Sequence, residues 1–224
     1  MALFDEKANT YDDFCLTPIG TFVDRIERDM MAAIARPVRG EKAIDLGCGT
    51  GTYAYWLRDM GLSVVGVDLS QDMLEVARGK RKNEVTFQKA DLAHLPFGDN
   101  TFDLAICNVV LEFIDEPATV LREGFRVLKP GGRLIVGCIN KYGAWGKKYT
   151  RRGQEDPMSI YSHAQFLSYE DILKIGPNKP TDVRFGLFVE PEEFRDFEIA
   201  IQLEQTHRQR QDNIGGYFVI RFEK

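Results

Sequence analysis

Three glycines in five positions, at 47, 49 and 51, separate an apolar run that ends at Leu46 from a helical pattern that begins at Thr52 (AIDLGCGTGTY, residues 43–53). A strand that runs straight into a glycine turn and then a helix is a demanding arrangement. The turn uses backbone conformations that a Cβ resists, and it lets the main chain approach whatever lies above the end of the strand. Behind it, the first amides of the helix have no intrahelical partner, which makes this turn a ligand site in many α/β folds. A tight turn whose glycines serve packing alone is the plainer alternative, and the rest of the chain has to choose between them.

The rest of the chain alternates. Strand-like segments fall at about 42–46, 63–67, 84–88, 102–107, 132–138, 183–189 and 216–222, with helical patterns at about 52–60, 71–80 and 117–128 between the first five. A loop or short helix, DLAHLPFGDN, replaces a helix between the third and fourth strands. Pro117 opens the third helical pattern and KPGG is expected to stop it. An N-terminal helix carries Ile19, Phe22, Val23, Ile26, Met30 and Ile34 near a 3.6-residue period. This rhythm predicts an α/β fold, a doubly wound and mainly parallel sheet with ligands at the carboxyl ends of its strands. With 224 residues, 44% of them hydrophobic, the chain suits a single elaborated domain.

Several classes are disfavoured. The first twenty residues hold acids and no long apolar stretch, and nowhere do 18 apolar residues run together, so neither a signal peptide nor a membrane span is expected. Cys15, Cys48, Cys107 and Cys138 lack CxxC spacing, which suits reduced thiols and a cytoplasmic location. His94, His163 and His207 show no HxxxH arrangement, so no metal site is expected. The net charge of −5 argues against a general nucleic-acid footprint, and no DNA partner is expected. Monomer and homodimer are equally compatible with the sequence.

Two nucleotide-like ligands compete for such a fold. A dinucleotide fingerprint reads GxGxxG, whereas here the pattern is GxGxG with Thr52 at the last glycine's place. Asp68 ends the second strand, where its carboxylate can accept from two vicinal ribose hydroxyls; that suits either ligand. Asp91 and Leu92 follow the third strand, where a carboxylate can take an adenine amino group and the adjacent N–H a ring nitrogen. A dinucleotide has no particular need of that pair.

The stretches IDLGCGTG, GVDLS, ADLAHLPFGDNTFDLAICNVVLEFI and EGFRVLKPGGRLIV occur in the order and spacing of the class I S-adenosylmethionine-dependent methyltransferases. The chain most resembles their ubiquinone and menaquinone biosynthesis branch, closely over 41–137 and loosely over 165–222, and FDEKANTYDDF at 4–14 is similar to that branch's N-terminal segment. The resemblance implies a seven-stranded sheet of order 3-2-1-4-5-7-6 with the last strand antiparallel. It divides the single domain, 1–224, into a helical lid (1–40), a cofactor-binding core (41–138), a substrate cap (139–168) and the C-terminal strands (169–224). It implies S-adenosylmethionine as cofactor and S-adenosylhomocysteine as product. Asp45, Gly47 and Gly49 are then expected at the methionine end, Asp68 at the ribose, Leu69 and Met73 on one face of the adenine and Asp91 and Leu92 at its edge. Asn108 would lie beside the methionine moiety, and Tyr11 would close over the carboxylate.

Rival roles stand beside these. Met73 suits an ordinary core position, Asp45 a local backbone cap, and Asp103 a structural strand entry outside the site. A sulfonium methyl is already activated, so in-line displacement needs alignment and exclusion of water, and a base only where the accepting atom must lose a proton. No catalytic residue is assigned. Strand four ends in CNVVLEF, unlike the amino-methylating DNA enzymes. Glu112 stands where many relatives carry histidine, either as a substrate contact or as a solvated or loop-bonding carboxylate. Residues 140–168 are too long for a plain connection and are expected to cap the site. There Tyr142, Trp145, Tyr149, Tyr161 and His163 are candidates for an acceptor pocket, while Lys147, Lys148, Arg151 and Arg152 either meet an anion or form a solvated face. The expected function is methyl transfer to a small-molecule acceptor. The alternatives are a catalytically silent S-adenosylmethionine-binding regulatory subunit and an RNA or protein methyltransferase.

Overall fold

The structure, a computed structural model, describes residues 2–81, 84–210 and 214–224. A 3-10 segment (Asp5–Leu16) leads into α1 (Pro18–Ala35), which starts where Thr17 Oγ1 accepts from the Gly20 amide at 3.0 Å and Pro18 fills the first turn. The chain continues through β1 (Lys42–Leu46), α2 (Thr52–Asp59), β2 (Ser63–Asp68), α3 (Gln71–Lys80), β3 (Thr86–Lys89), β4 (Phe102–Asn108) and α4 (Pro117–Arg126). It ends with β5 (Leu128–Ile139), α5 (Ala144–Glu155), α6 (Tyr169–Ile175), β6 (Asp182–Gly186), α7 (Phe197–Gln209) and β7 (Tyr217–Glu223).

The strands form one sheet of order β3-β2-β1-β4-β5-β7-β6. Pairing is parallel from β3 to β5, and β7 runs antiparallel to both of its neighbours. The winding direction reverses between β1 and β4, so a crevice opens where their carboxyl ends part. Apolar side chains cover both faces. On one, Phe22, Ile26, Met31 and Ile34 of α1 pack with Leu57 and Leu74; on the other, Val120 and Leu121 of α4 pack with Ile172, Phe218 and Phe222. No helix among the described residues is long and apolar enough to cross a membrane.

Two local expectations are corrected. KPGG does not stop a helix: α4 ends at Arg126, and residues 129–132 lie inside β5, beside a break in register between Phe102 and Leu104. Lys224 holds them there, its carbonyl accepting from Gly131 at 2.7 Å and its amide donating to Gly132 at 2.9 Å. The sixth strand ends at Gly186 and not near 189, because Leu187 turns to φ 55° and the buried Glu204 carboxylate accepts from the Phe188 and Val189 amides at 2.8 and 3.3 Å. The helices α6 and α7 add to the elements that the periodicity predicts.

Candidate active site

The turn after β1 is built from both sides. Gly47, Gly49 and Gly51 take φ of 72°, 50° and 83°, and a Cβ on Gly47 would lie 2.5 Å from the Val110 side chain. The Val67 carbonyl accepts from the Gly47 and Cys48 amides at 2.8 and 2.9 Å, and Asp68 Oδ2 accepts from the Gly49 amide at 2.8 Å. Its Oδ1 accepts from Ser70 at 2.9 Å. Asp68 thus fixes the turn while standing at the mouth of the crevice.

Two adjoining cavities occupy that crevice. A cleft of about 150 Å³ is lined by Asp68, Leu69, Met73, Asp91 and Leu92, together with Phe113. A chamber of about 460 Å³ is lined by Asp45, Asn108, Glu27, Tyr53, Trp145 and Tyr149. Tyr11, Gly47 and Gly49 border both. All ten residues expected to hold the cofactor therefore line one cavity or the other. Met73 is at once core and wall, being 2% exposed. Asp91 caps its own turn, accepting from the Ala93 amide at 2.9 Å, and its other oxygen lies 3.3 Å from His94 Nδ1. Asp103 stays outside the site, tied to the Lys42 amide and Lys129 Nζ at 2.9 and 2.7 Å.

The N-terminal segment lies across this opening. Asp5 accepts from Ser70 Oγ at 2.6 Å, Asp12 accepts from Thr50 Oγ1 at 2.7 Å, and the Phe4 ring meets Phe113 edge-on at 5.0 Å. Trp145 of α5 closes the far side, donating its indole N–H to the Val189 carbonyl at 3.0 Å. It can approach because residue 216 is glycine: a Cβ there would sit 2.3 Å from the indole.

The other acceptor-pocket expectations need correction. Glu112 is fully buried and lines neither cavity; its Oε1 accepts from the Ile139 amide at 2.7 Å, so it is loop-bonding and not solvated. Tyr142 is 56% exposed and faces a separate outer groove of about 770 Å³, which it shares with Lys147, Lys148 and Arg151. That groove has no wall in common with the crevice. His163 is exposed and lines none of these cavities. Of the basic run only Arg152 reaches the chamber, its guanidinium 5.8 Å from the Tyr161 ring centre.

Sequence reasoning missed the chamber's polar centre. The Glu27 carboxylate accepts from Tyr53 Oη at 3.3 Å and Asn108 Nδ2 at 3.4 Å, while Asn108 Oδ1 accepts from Tyr217 Oη. The signal was present: Glu27 is four residues from both Val23 and Met31, a carboxylate set in the buried stripe of α1. Burial pushes the Glu27 carboxyl up to about 7 despite those two hydrogen bonds. Burial, aided by the Asp68 charge, takes Asp45 up to about 8, and burial takes Glu112 up to about 7. Among the described residues Asp45 Oδ2 and Glu112 Oε2 have no hydrogen-bond partner. Burial also raises the Cys48, Cys107 and Cys138 thiols, which keeps them protonated and non-nucleophilic.

These carboxyls set a pH dependence. Each titrates near 4 in the unfolded chain, so over the window from about 4 to 8 the folded chain binds more protons than the unfolded one, and stability falls as pH rises. Carboxylates held low by cations, such as Asp103 and Glu123, lose their contribution below that window. The Tm is expected to decrease from about pH 5 to pH 8. Glu112→Gln, whose amide oxygen can still accept from Ile139, should flatten the slope; a Tm that holds or rises across the window would mean these carboxyls are ionised when folded.

A parallel sheet with an antiparallel β7, a glycine turn at its switch point and acidic residues after β2 and β3 define a Rossmann-like S-adenosylmethionine-binding protein. The donor set fits that cofactor: an apolar slot, a carboxylate at a strand end, and an orphaned buried oxygen on Asp45. A methyltransferase-domain family model matches residues 44–136. An uncharacterized protein of Methanocaldococcus jannaschii is 32% identical over 78% of each chain. A demethylmenaquinone methyltransferase of Clavibacter sepedonicus is 39% identical over 60% of this chain, which spans 56% of that protein's length. The fold matches the crystal structure of an S-adenosylmethionine-dependent methyltransferase from Thermotoga maritima, named as a possible histamine N-methyltransferase, with TM-score 0.75 and 25% identity over 99% of this chain and 98% of that one. The chain belongs to the class I S-adenosylmethionine-dependent methyltransferases, and is an enzyme that uses S-adenosylmethionine as methyl donor.

Proposed function

We propose that the enzyme methylates a small molecule held in the chamber, with the cofactor's adenosyl part in the narrower cleft. The observation that carries this is the chamber itself: about 460 Å³, walled by Tyr53, Trp145, Tyr149 and Tyr161 and joined to the cleft at Gly47, Gly49 and Tyr11. That volume suits a ligand of modest size. The names of the relatives range from demethylmenaquinone to histamine, so the acceptor has to be read from this lining.

In this reading Asp68 accepts from the ribose hydroxyls, Asp91 and Leu92 meet the adenine edge, and Leu69 and Met73 cover one face. Asp45 Oδ2 gains a partner at the methionine end. Bound S-adenosylmethionine supplies the activated methyl group. The aromatic walls and the N-terminal segment then align the acceptor and exclude water. Incubation of the protein with S-adenosylmethionine and a protein-free small-molecule extract, read by untargeted mass spectrometry, should reveal a species gaining one methyl group. No methylated small molecule, although S-adenosylhomocysteine binds, would contradict this function. Calorimetry should show binding of S-adenosylhomocysteine and not of NAD.

The same reading makes residues 2–20 a lid. Their contacts to Thr50 and Ser70 must open for cofactor exchange, and closure is coupled to binding by the contacts made only when shut. Hydrogen exchange over 2–20 and 140–165 should slow on adding S-adenosylhomocysteine. Tyr11→Phe should weaken its binding by about 0.5–1.5 kcal/mol, one neutral hydrogen bond. Unchanged exchange together with unchanged affinity would leave Tyr11 a packing residue.

A further inference from the structure

The chamber's charges are unbalanced. Asp12, Asp24, Glu27, Asp45 and Asp156 line it against Lys7 and Arg152. Asp12 is already paired with Lys80, and Asp24 with Arg28 at 2.9 Å. Glu27 has no cationic partner among the described residues; its carboxylate meets only the neutral donors of Tyr53 and Asn108, at 3.3 and 3.4 Å. Aromatic rings line the same chamber. Tyr149 and Tyr161 stack with centres 4.3 Å apart and planes 18° apart, and Trp145 adjoins Tyr149 at 5.9 Å. A lone carboxylate and stacked rings lining one half-enclosed space are the chemistry that receives an organic cation.

We propose that the acceptor is an amine, held as its ammonium between Glu27 and the aromatic walls, and that Glu27 takes the proton its nitrogen must lose. The inference rests on the chamber being the acceptor site. An ammonium has no lone pair and cannot attack. Glu27 removes one proton, and the freed lone pair attacks the methyl carbon of the sulfonium. The N–C bond forms as the S–CH₃ bond breaks, with that bond's electron pair remaining on sulfur as S-adenosylhomocysteine. The nitrogen leaves as a methylammonium, and the Glu27 proton passes to solvent. A carboxyl raised by burial to about 7 is matched to this exchange near neutral pH.

The surroundings bias Glu27 toward holding a proton or a cation. Asp24 faces it from its own helix, and Glu112 acts on it through the protein; both raise it. The remaining neighbours are neutral: Tyr53 of α2, Tyr217 of β7, Tyr11 and Cys15 of the N-terminal segment, and Tyr149 and Tyr161 of the cap. Arg28 is occupied by Asp24, and Arg152 lies against Tyr161.

The test uses the full chain with S-adenosylmethionine carrying a trideuterated methyl group, and the protein-free extract as acceptor source. The expected result is label on nitrogen, located by fragmentation. Label on oxygen, carbon or sulfur overturns the amine and leaves the small-molecule function standing; label on no small molecule removes that function and the inference with it. For the labelled amine, Glu27→Gln should lower kcat/KM by about a hundredfold or more and remove the acid limb near pH 7. Calorimetry on the S-adenosylhomocysteine complex, with no turnover, should show the amine binding at least tenfold more weakly to Glu27→Gln, with Glu27→Asp in between. S-adenosylhomocysteine itself should bind wild type and both variants within about twofold. Loss of S-adenosylhomocysteine affinity in the variants would assign Glu27 to the cofactor's own amino group and overturn the proposal, as would a Glu27→Gln enzyme of normal activity.

Discussion

Asp68→Ala is expected to weaken S-adenosylhomocysteine by about 1.5–3 kcal/mol, roughly tenfold to 150-fold in Kd, the range for hydrogen bonds to a charged group. Two effects add in the same direction. The variant removes the carboxylate that the ribose hydroxyls would meet, and it also releases the Gly49 and Ser70 amides that this carboxylate fixes at 2.8 and 2.9 Å. The glycine turn loses its tie to the end of β2 as well as its ligand contact. The sheet should still form, since Gly47 and Cys48 stay bonded to the Val67 carbonyl. Calorimetry checks the affinity and circular dichroism the fold; a folded variant with an unchanged Kd would place the ribose elsewhere.

Arg133→Ala should cost about 3 kcal/mol of stability, the lower part of the range for breaking a buried ion pair, and lower Tm by roughly 6–12 °C for a chain of this length. The Arg133 side chain, 8% exposed, reaches two elements from β5. It grips both oxygens of Glu41 at 2.7 and 2.8 Å and donates to the carbonyls of Ala35 and Arg36, where α1 ends. Alanine leaves those carbonyls without their donor and Glu41 without its cation; Glu41 retains some solvent, which keeps the cost below the maximum. Because α1 carries Glu27 into the chamber, its anchoring also bears on the site. Urea denaturation should show the loss as a shift of midpoint at constant slope. A loss under 1 kcal/mol would reduce the cluster to an ordinary surface pair.

The cofactor half of the crevice was legible because its determinants are local. The glycines, Asp68, Asp91 and Leu92 each follow directly from a strand end, so knowing the strand places the residue. Even there the order 3-2-1-4-5-7-6 came from resemblance, since periodicity alone does not rank strands across a sheet. The acceptor half was legible only in part. Trp145, Tyr149 and Tyr161 reach the chamber, while Tyr142, just before α5 begins, lines the outer groove, and His163 stays exposed. Which side of a cap an aromatic residue faces is decided by close approaches such as Gly216 to Trp145, which no spacing within 140–168 encodes. Glu27 was missed for a related reason. The apolar stripe of α1 predicts the residues that fit it, whereas the carboxylate interrupting it meets Tyr53 and Asn108, and through Asn108 Tyr217, only by long-range packing. KPGG misled through its turn chemistry, which the pairing of Lys224 overrides.

The most direct test of the two-compartment site is a crystal structure of the S-adenosylhomocysteine complex. The adenine should lie between Leu69, Met73 and the Asp91–Leu92 edge, with the ribose hydroxyls on Asp68 and the sulfur pointing toward the chamber bounded by Glu27, Asn108 and Trp145. An adenosyl group filling that chamber, or seated in the outer groove beside Tyr142, would contradict it.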